Sequence, residues 1–192
     1  MDSPFVRYHS TARTASAGLI LCMRGRPEST EAAPYYFTYI NQVGSDDVLS
    51  VIEGQLQEVL SLCSEISEER SAHRYSPDKW SIRQVLNHVT DTERAFAFRA
   101  LWFARGFEPP LPDYDQNIAA AGADADHVAW GEHVEEFRRV RLATVSLFRN
   151  LPADAWLRTG IASNNRFTVR ALAFITAGHV THHVKILRAR YL

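Results

Sequence analysis

Cysteine is scarce in this 192-residue sequence, which holds only Cys22 and Cys63. Two thiols without a Cys-x-x-Cys pairing exclude a disulfide scaffold, a zinc ribbon and a haem attachment site, and they fit a reducing cytosol. Long apolar runs are missing too. The longest early one, Gly18 to Met23, is too short for a signal-peptide core, and Arg24 and Arg26 follow where a small-residue cleavage site should lie. No membrane span or targeting signal is expected, and the location expected is cytoplasmic. Neither charge sign dominates: Lys and Arg number 21 against 22 Asp and Glu, for a net charge of −1. That balance gives no reason to expect nucleic acid or a membrane as partner. Alternating strand patterns, internal repeats and low-complexity tracts are absent as well.

What remains is a globular composition, 46% hydrophobic, with helical periodicity. Residues 1–33 mix Ser, Thr, Arg and Ala without a period and read as a disordered or loosely docked tail. A transit peptide is the alternative, with Asp2, Glu28 and Glu31 against it. Residues 34–192 read as one domain. It opens with an aromatic lead-in, Tyr35, Tyr36, Phe37 and Tyr39, suited to packing on a bundle end or to a ligand platform. Four amphipathic helices follow. The first spans about Asp46 to Glu69 with Ser45 as N-cap. The second starts at a capping box, Ser81 with Gln84, and runs to about Arg105, with Gly106 past its end. The third covers Glu132 to Asn150, its stripe including Val140 or Arg141. The fourth runs from Thr168 to about Tyr191. Pro109, Pro110 and Pro112 exclude regular helix from the long connection between the second and third. The fold class expected is all-α, an antiparallel four-helix bundle.

Of eight histidines, His179 and His183 stand four apart on the fourth helix, so both point the same way about one turn apart. Leu172, Ile175 and Ile186 turn that face inward. Two buried imidazoles need partners for four ring nitrogens, and one metal ion would take a lone pair from each. Side-chain or water hydrogen bonds at a bundle end would serve as well. His88, on the inner face of the second helix with Val85 and Thr92, offers a third imidazole from a facing element. His182 is offset and reads as a neighbour of the site or a surface residue. Val180 after His179 excludes the zincin motif, and no Glu-x-x-His di-iron motif occurs.

The segment Tyr75 to His88, with Lys79-Trp80-Ser81 opening the second helix and Asp91-Thr92-Glu93-Arg94 continuing it, resembles the DinB/YfiT-like family. So does the last helix, Ala177-Gly178-His179 through His182-His183 to Leu192. The resemblance covers about residues 34–192. It implies a four-helix bundle with one divalent metal on His88, His179 and His183. It also implies frequent homodimers and relatives that are transferases or isomerases using small thiol cofactors.

A metal-dependent enzyme acting on a small-molecule substrate is therefore expected. Thiol-cofactor-dependent transfer leads, and hydrolysis is second. A non-catalytic metal- or ligand-binding bundle is the alternative. Zn and Ni lead as the ion, with Fe, Mn and Cu open. Asp91, three residues after His88, is the expected catalytic base or hydrogen-bond acceptor. Glu93 points elsewhere on an ideal helix; it could assist in the same way, but a surface carboxylate is the leading reading for it. The connection from Gly106 to Ala129 reads either as a crossover over one bundle end or as a functional loop that could close over the substrate, with Tyr114 or Trp130 near its mouth.

Overall fold

A computed structural model describes residues 25–192. After a 3₁₀ turn at Pro34–Tyr36 come seven helices: α1 (Phe37–Ile40), α2 (Val48–Ser64), α3 (Glu68–Ser71), α4 (Ile82–Ala104), α5 (Gln116–Gly122), α6 (Trp130–Arg149) and α7 (Val169–Ile186). Strands β1 (Thr159–Ala162) and β2 (Asn165–Thr168) form one antiparallel hairpin just before α7. No helix among the described residues is long and apolar enough to cross a membrane.

Local chemistry accounts for the helix ends. At α4 the Ser81 hydroxyl accepts from the Gln84 amide (3.2 Å) and the Gln84 side chain accepts from the Ser81 amide (3.0 Å), the expected capping box. Gly106, at φ +79°, follows the last turn. The first helix starts later and ends earlier than expected. Asp47, not Ser45, caps it, and Ser67 caps a separate turn, α3, by accepting from the Arg70 amide. The proline-bearing connection is not free of helix. Beyond the last proline, Asp115 accepts from the amides of Asn117 (2.7 Å) and Ile118 (3.1 Å) and starts α5.

Four helices, α2, α4, α6 and α7, make the bundle. Side-chain pairings fix their directions. Gln55 meets Ala177 and Thr181, and Glu58 meets Arg188, so α2 and α7 run the same way. Arg83 bonds the Val128 carbonyl just before α6, and further along Glu93 meets Arg141, so α4 and α6 run together. Trp80 ahead of α4 meets Tyr191 after α7, and Phe96 further along α4 meets His179 earlier on α7, so the two pairs oppose each other.

Two apolar clusters fill the interior. One gathers Phe103, Phe148, Trp156, Phe167 and Phe174 with Ile52 and Leu172, and the other gathers Ile82, Val85, Leu86, Phe137, Val180 and Leu187. A polar layer lies between them. Arg141 is fully buried and donates to Glu93 (2.7 Å) and to Gln55 (3.1 Å). Gln55 in turn donates to the Ala177 carbonyl (2.8 Å) and the Thr181 hydroxyl (2.9 Å). One chain of contacts thus ties α2, α4, α6 and α7. Glu93, expected at the surface, is 1% exposed. A carboxylate tolerates such burial only with a charged partner, and Arg141 supplies it from the neighbouring helix.

Two features depart further from the expected pattern. The hairpin was not anticipated, because each strand has four residues and its two-residue turn is Ser163-Asn164, not a glycine pair. Both turn residues adopt positive φ, 51° and 59°, as a type I′ turn requires. Residues 1–24 of the expected tail lie outside the described residues, but its remaining part is docked on the bundle. Arg26 donates to the carbonyls of Ile40 (3.1 Å) and Val43 (2.6 Å), and Ala32 is buried. Glu31 accepts from Thr168 (2.6 Å) and from Arg170 (2.7 Å) at the start of α7. This stretch holds on through charged side chains, which leave no apolar period to read.

Candidate metal centre

The α7 pair and His88 meet where the sequence spacing put them. His179 Nε2 lies 3.1 Å from His88 Nε2 and 3.1 Å from His183 Nε2. Three ligand atoms, one per ring, all fall within 4.8 Å of one another, and among the described residues no other His, Cys, Asp or Glu joins them at that spacing. Two nitrogens bound at about 2.0–2.1 Å to one ion, at angles of about 90–110°, are separated by about 2.9–3.4 Å. The observed separations therefore suit three donors around one ion.

The protonation states agree. Burial, with a smaller push from the charge of His182, lowers the His88 pKa to about 4. Burial and then repulsion from His88 and His182 bring His183 down to about 3. His179 falls well below its ordinary value, by burial first and by His183 and His88 next. All three rings are neutral near pH 7 and present lone pairs. Without an ion the arrangement is poorly satisfied. A single proton on His179 Nε2 cannot serve both neighbours, and the buried Nδ1 of His183 has no hydrogen-bond partner. The donor set fits a divalent metal.

Surrounding side chains hold the rings. Thr92 approaches His88 Nδ1 (3.3 Å), and Trp80 lies over the His88 ring with centroids 4.8 Å apart. The Trp80 carbonyl accepts from the Tyr191 hydroxyl (2.8 Å), which fastens that lid to the π-helical turn after α7. Tyr39 packs edge-on against His179 (5.4 Å) and His182 (5.5 Å). Gly178 makes this approach feasible. A Cβ there would overlap the Tyr39 carbonyl oxygen, so α1 can sit directly on α7 only over a glycine.

The sequence model of the DinB superfamily matches residues 52–187, a span that contains all three histidines. The chain belongs to the DinB superfamily. Among solved structures it is similar to YfiT from Bacillus subtilis, described as a probable metal-dependent hydrolase with an unusual four-helix bundle topology. The TM-score is 0.60 at 16% identity, covering 84% of this chain and 91% of that one. At that identity the similarity speaks for the fold. No curated protein matches the sequence at a significant level.

In this DinB-superfamily chain one member of the triad, His179, lines a cavity. A pocket of about 190 Å³ reaches His179 between the lead-in tyrosines, Thr92 and Phe96 on α4, and Tyr114 and Gln116. It shares Ala95, Arg99, Asp113 and Tyr114 with a wider pocket of about 590 Å³ under α5. The 106–129 connection thus roofs the approach, and Tyr114 stands there as expected. Trp130 does not. It is 6% exposed, its indole N–H donates to the Cys63 carbonyl, and it packs with the apolar cluster behind the triad.

Asp91 lines the wider pocket, not the one that reaches His179, and its carboxylate accepts from Arg94 (2.9 Å). It is not among the residues brought together at the triad. Glu93 is committed to Arg141. His182 stays outside the ligand cluster, with Nδ1 3.3 Å from the Gln42 amide. His133 is buried against the Ala125 carbonyl (2.9 Å) in a structural role. Cys63 sits in apolar surroundings that push its thiol up to about 12, so it is no nucleophile near neutral pH. Trp80 and Tyr39 carried a signal that reading for ligands alone passed over: each is an aromatic next to a helix end that packs on a ligand ring.

Proposed function

We propose that this protein holds one divalent metal on His88, His179 and His183 and uses it in a reaction of a small molecule, with a thiol as the first-choice nucleophile. One observation carries the reading: three neutral imidazoles from α4 and α7 converge on a point beside a cavity. A divalent ion there would act as a Lewis acid, lowering the pKa of a thiol or water brought to the site.

The chain's own residues supply the rest. His88 Nδ1 is steadied by Thr92, and Trp80 and Tyr39 restrict the rings and limit water around them. Tyr114 and the lead-in tyrosines frame the entrance. Hydrolysis calls for a base beside the attacking water, and the nearby carboxylates are engaged, Asp91 by Arg94 and Glu93 by Arg141. A thiol, with an ordinary pKa near 8.5, needs less help. That difference favours transfer, with Asp91 left as an acceptor at the far side of the entrance. Metal-dependent hydrolysis is the second reading, supported by the description of YfiT.

Metal content of the purified chain and of the three single His→Ala variants tests the site. About one equivalent is expected in the parent, with loss in each variant. Full occupancy in all three variants refutes it. Cobalt-substituted protein then separates the reactions. A thiol that shifts the cobalt spectrum, with turnover of a chlorinated nitroarene that disappears in His183→Ala, supports transfer. Ester or amide turnover without thiol supports hydrolysis.

A further inference from the structure

Arg99 stands on α4 eleven residues after His88, close to three helical turns and so on the same face. It is 5% exposed, yet among the described residues no carboxylate forms an ion pair with it. The other two buried arginines, Arg83 and Arg141, each have one, in Glu68 and Glu93. The partners of Arg99 are neutral: the Ser163 hydroxyl (2.8 Å), the Pro112 carbonyl (3.4 Å) and the Tyr36 phenol. Asp113 attracts Arg99 through its charge, but it is exposed, forms no ion pair with the guanidinium and directs its carboxylate to the Ser163 hydroxyl.

The fold goes to some length to hold this cation. The hairpin turn lifts Ser163 into place, and the connection runs along β1, with the Leu111 amide donating to Ile161 (2.9 Å) and the Ser163 amide donating to Leu111 (3.3 Å). That pairing brings Pro112 over the guanidinium. Arg99 lines both the pocket that ends at His179 and the wider one beside it. A buried guanidinium is planar, presents five N–H donors and cannot shed its proton, so a cation whose hydrogen bonds all go to neutral acceptors, with one exposed carboxylate attracting it from outside, favours a planar anion.

We propose that Arg99 anchors a carboxylate of the small molecule that enters the pocket, so that the substrate class is a carboxylic acid held by Arg99 with its far end directed to the histidine triad. Tyr36 and Ser163 orient the guanidinium, and the hairpin serves as its mount. This assignment rests on the functional reading above for what happens at the triad, but the carboxylate contact is independent of metal.

The test titrates 3-phenylpropionate and its neutral amide, 3-phenylpropanamide, into the 192-residue chain, metal-free and metal-loaded, by calorimetry and by the NMR resonance of the Arg99 Nε–H. A hydrogen bond to a charged group predicts a preference for the carboxylate of about tenfold or more in both forms. The preference falls to within about twofold in Arg99→Gln, recovers in part in Arg99→Lys, and grows in Asp113→Asn. Equal binding of acid and amide, binding of neither, or a preference that survives Arg99→Gln overturns the assignment. Should Arg99→Gln fail to fold, the acid–amide comparison and the Arg99 resonance in the parent chain still decide. Metal content unchanged in Arg99→Gln but lost in His183→Ala keeps the two readings apart. If no metal binds at all, the metal-free titration alone tests Arg99.

Discussion

Replacing Glu93 by Leu should damage this protein more than almost any other single change. The Glu93–Arg141 pair is 2.7 Å apart, with the two side chains 1% and 0% exposed. Removing one partner of such a pair leaves the other buried and uncompensated, a loss of about 3–5 kcal/mol. Two features place Glu93→Leu near the top of that range. The guanidinium it orphans cannot become neutral, whereas the carboxyl orphaned by Arg141→Met can be buried as the acid. Arg141 would then keep only Gln55 (3.1 Å), the Ile52 carbonyl (3.4 Å) and the Phe137 ring, 5.5 Å away. With a urea slope of about 2 kcal/mol/M, the midpoint should drop by about 2–2.5 M. The double variant Glu93→Leu/Arg141→Met should recover most of the loss, because the charge and its desolvation disappear together. Urea unfolding of the four proteins in the cycle, metal-free, measures this. Single variants within about 1 kcal/mol of the parent, or a double variant as unstable as the summed singles, would refute the argument that the layer works as a charge pair.

Other outcomes rest on the same geometry. Ser81→Ala should cost about 2 kcal/mol, the upper end for a lost N-cap, because the hydroxyl is buried and also donates to Asp126 (2.6 Å); unchanged urea unfolding would dismiss the cap. Gly178→Ala should cost about 1–3 kcal/mol by pushing α1 off α7, and it should weaken metal binding as Tyr39 leaves His179; a melting curve and metal titration that match the parent would contradict that close approach. Glu31 bears on acid stability. Burial works to raise its pKa, but the bonds from Arg170 and Thr168 prevail and hold it below the ordinary 4.5. The folded value lies below the unfolded one, so this contribution is complete above about pH 4.5 and fades as pH falls through the lowered folded value. Glu31→Gln should therefore be less stable than the parent at pH 7 and approach it at low pH, and a constant gap across that range would argue against the linkage.

Legibility in the sequence tracked the locality of the signal. The start of α4 could be read because its cap, Ser81 with Gln84, spans four residues. The histidine pair could be read because four residues make a helical neighbour, and His88 because it sits among apolar positions of the same period. Glu93 could not be placed, since a charged residue reads as solvated until its partner 48 positions away is known to face it. The hairpin failed for a related reason: strands of four residues are too short for an alternation, and Ser163-Asn164 reaches the I′ conformation without the usual glycine. The docking of Arg26 and Glu31, and the neutral cradle around Arg99, depend on contacts between distant segments that no window along the chain contains.

The separation of His88 and His179, 91 positions apart, also bears on the order in which the molecule is assembled. During synthesis α2, α4 and α6 exist before α7, with the polar side chains of Gln55, Glu93 and Arg141 already present and the fourth wall missing. An ion captured at the triad would act as a clasp on a large loop, adding stability in proportion to the logarithm of its free concentration over its dissociation constant. The open precursor holds one imidazole of the three. If the triad holds an ion as proposed, metal capture and closure of the bundle would be a single event, and scarcity of the ion would show up first as slow maturation.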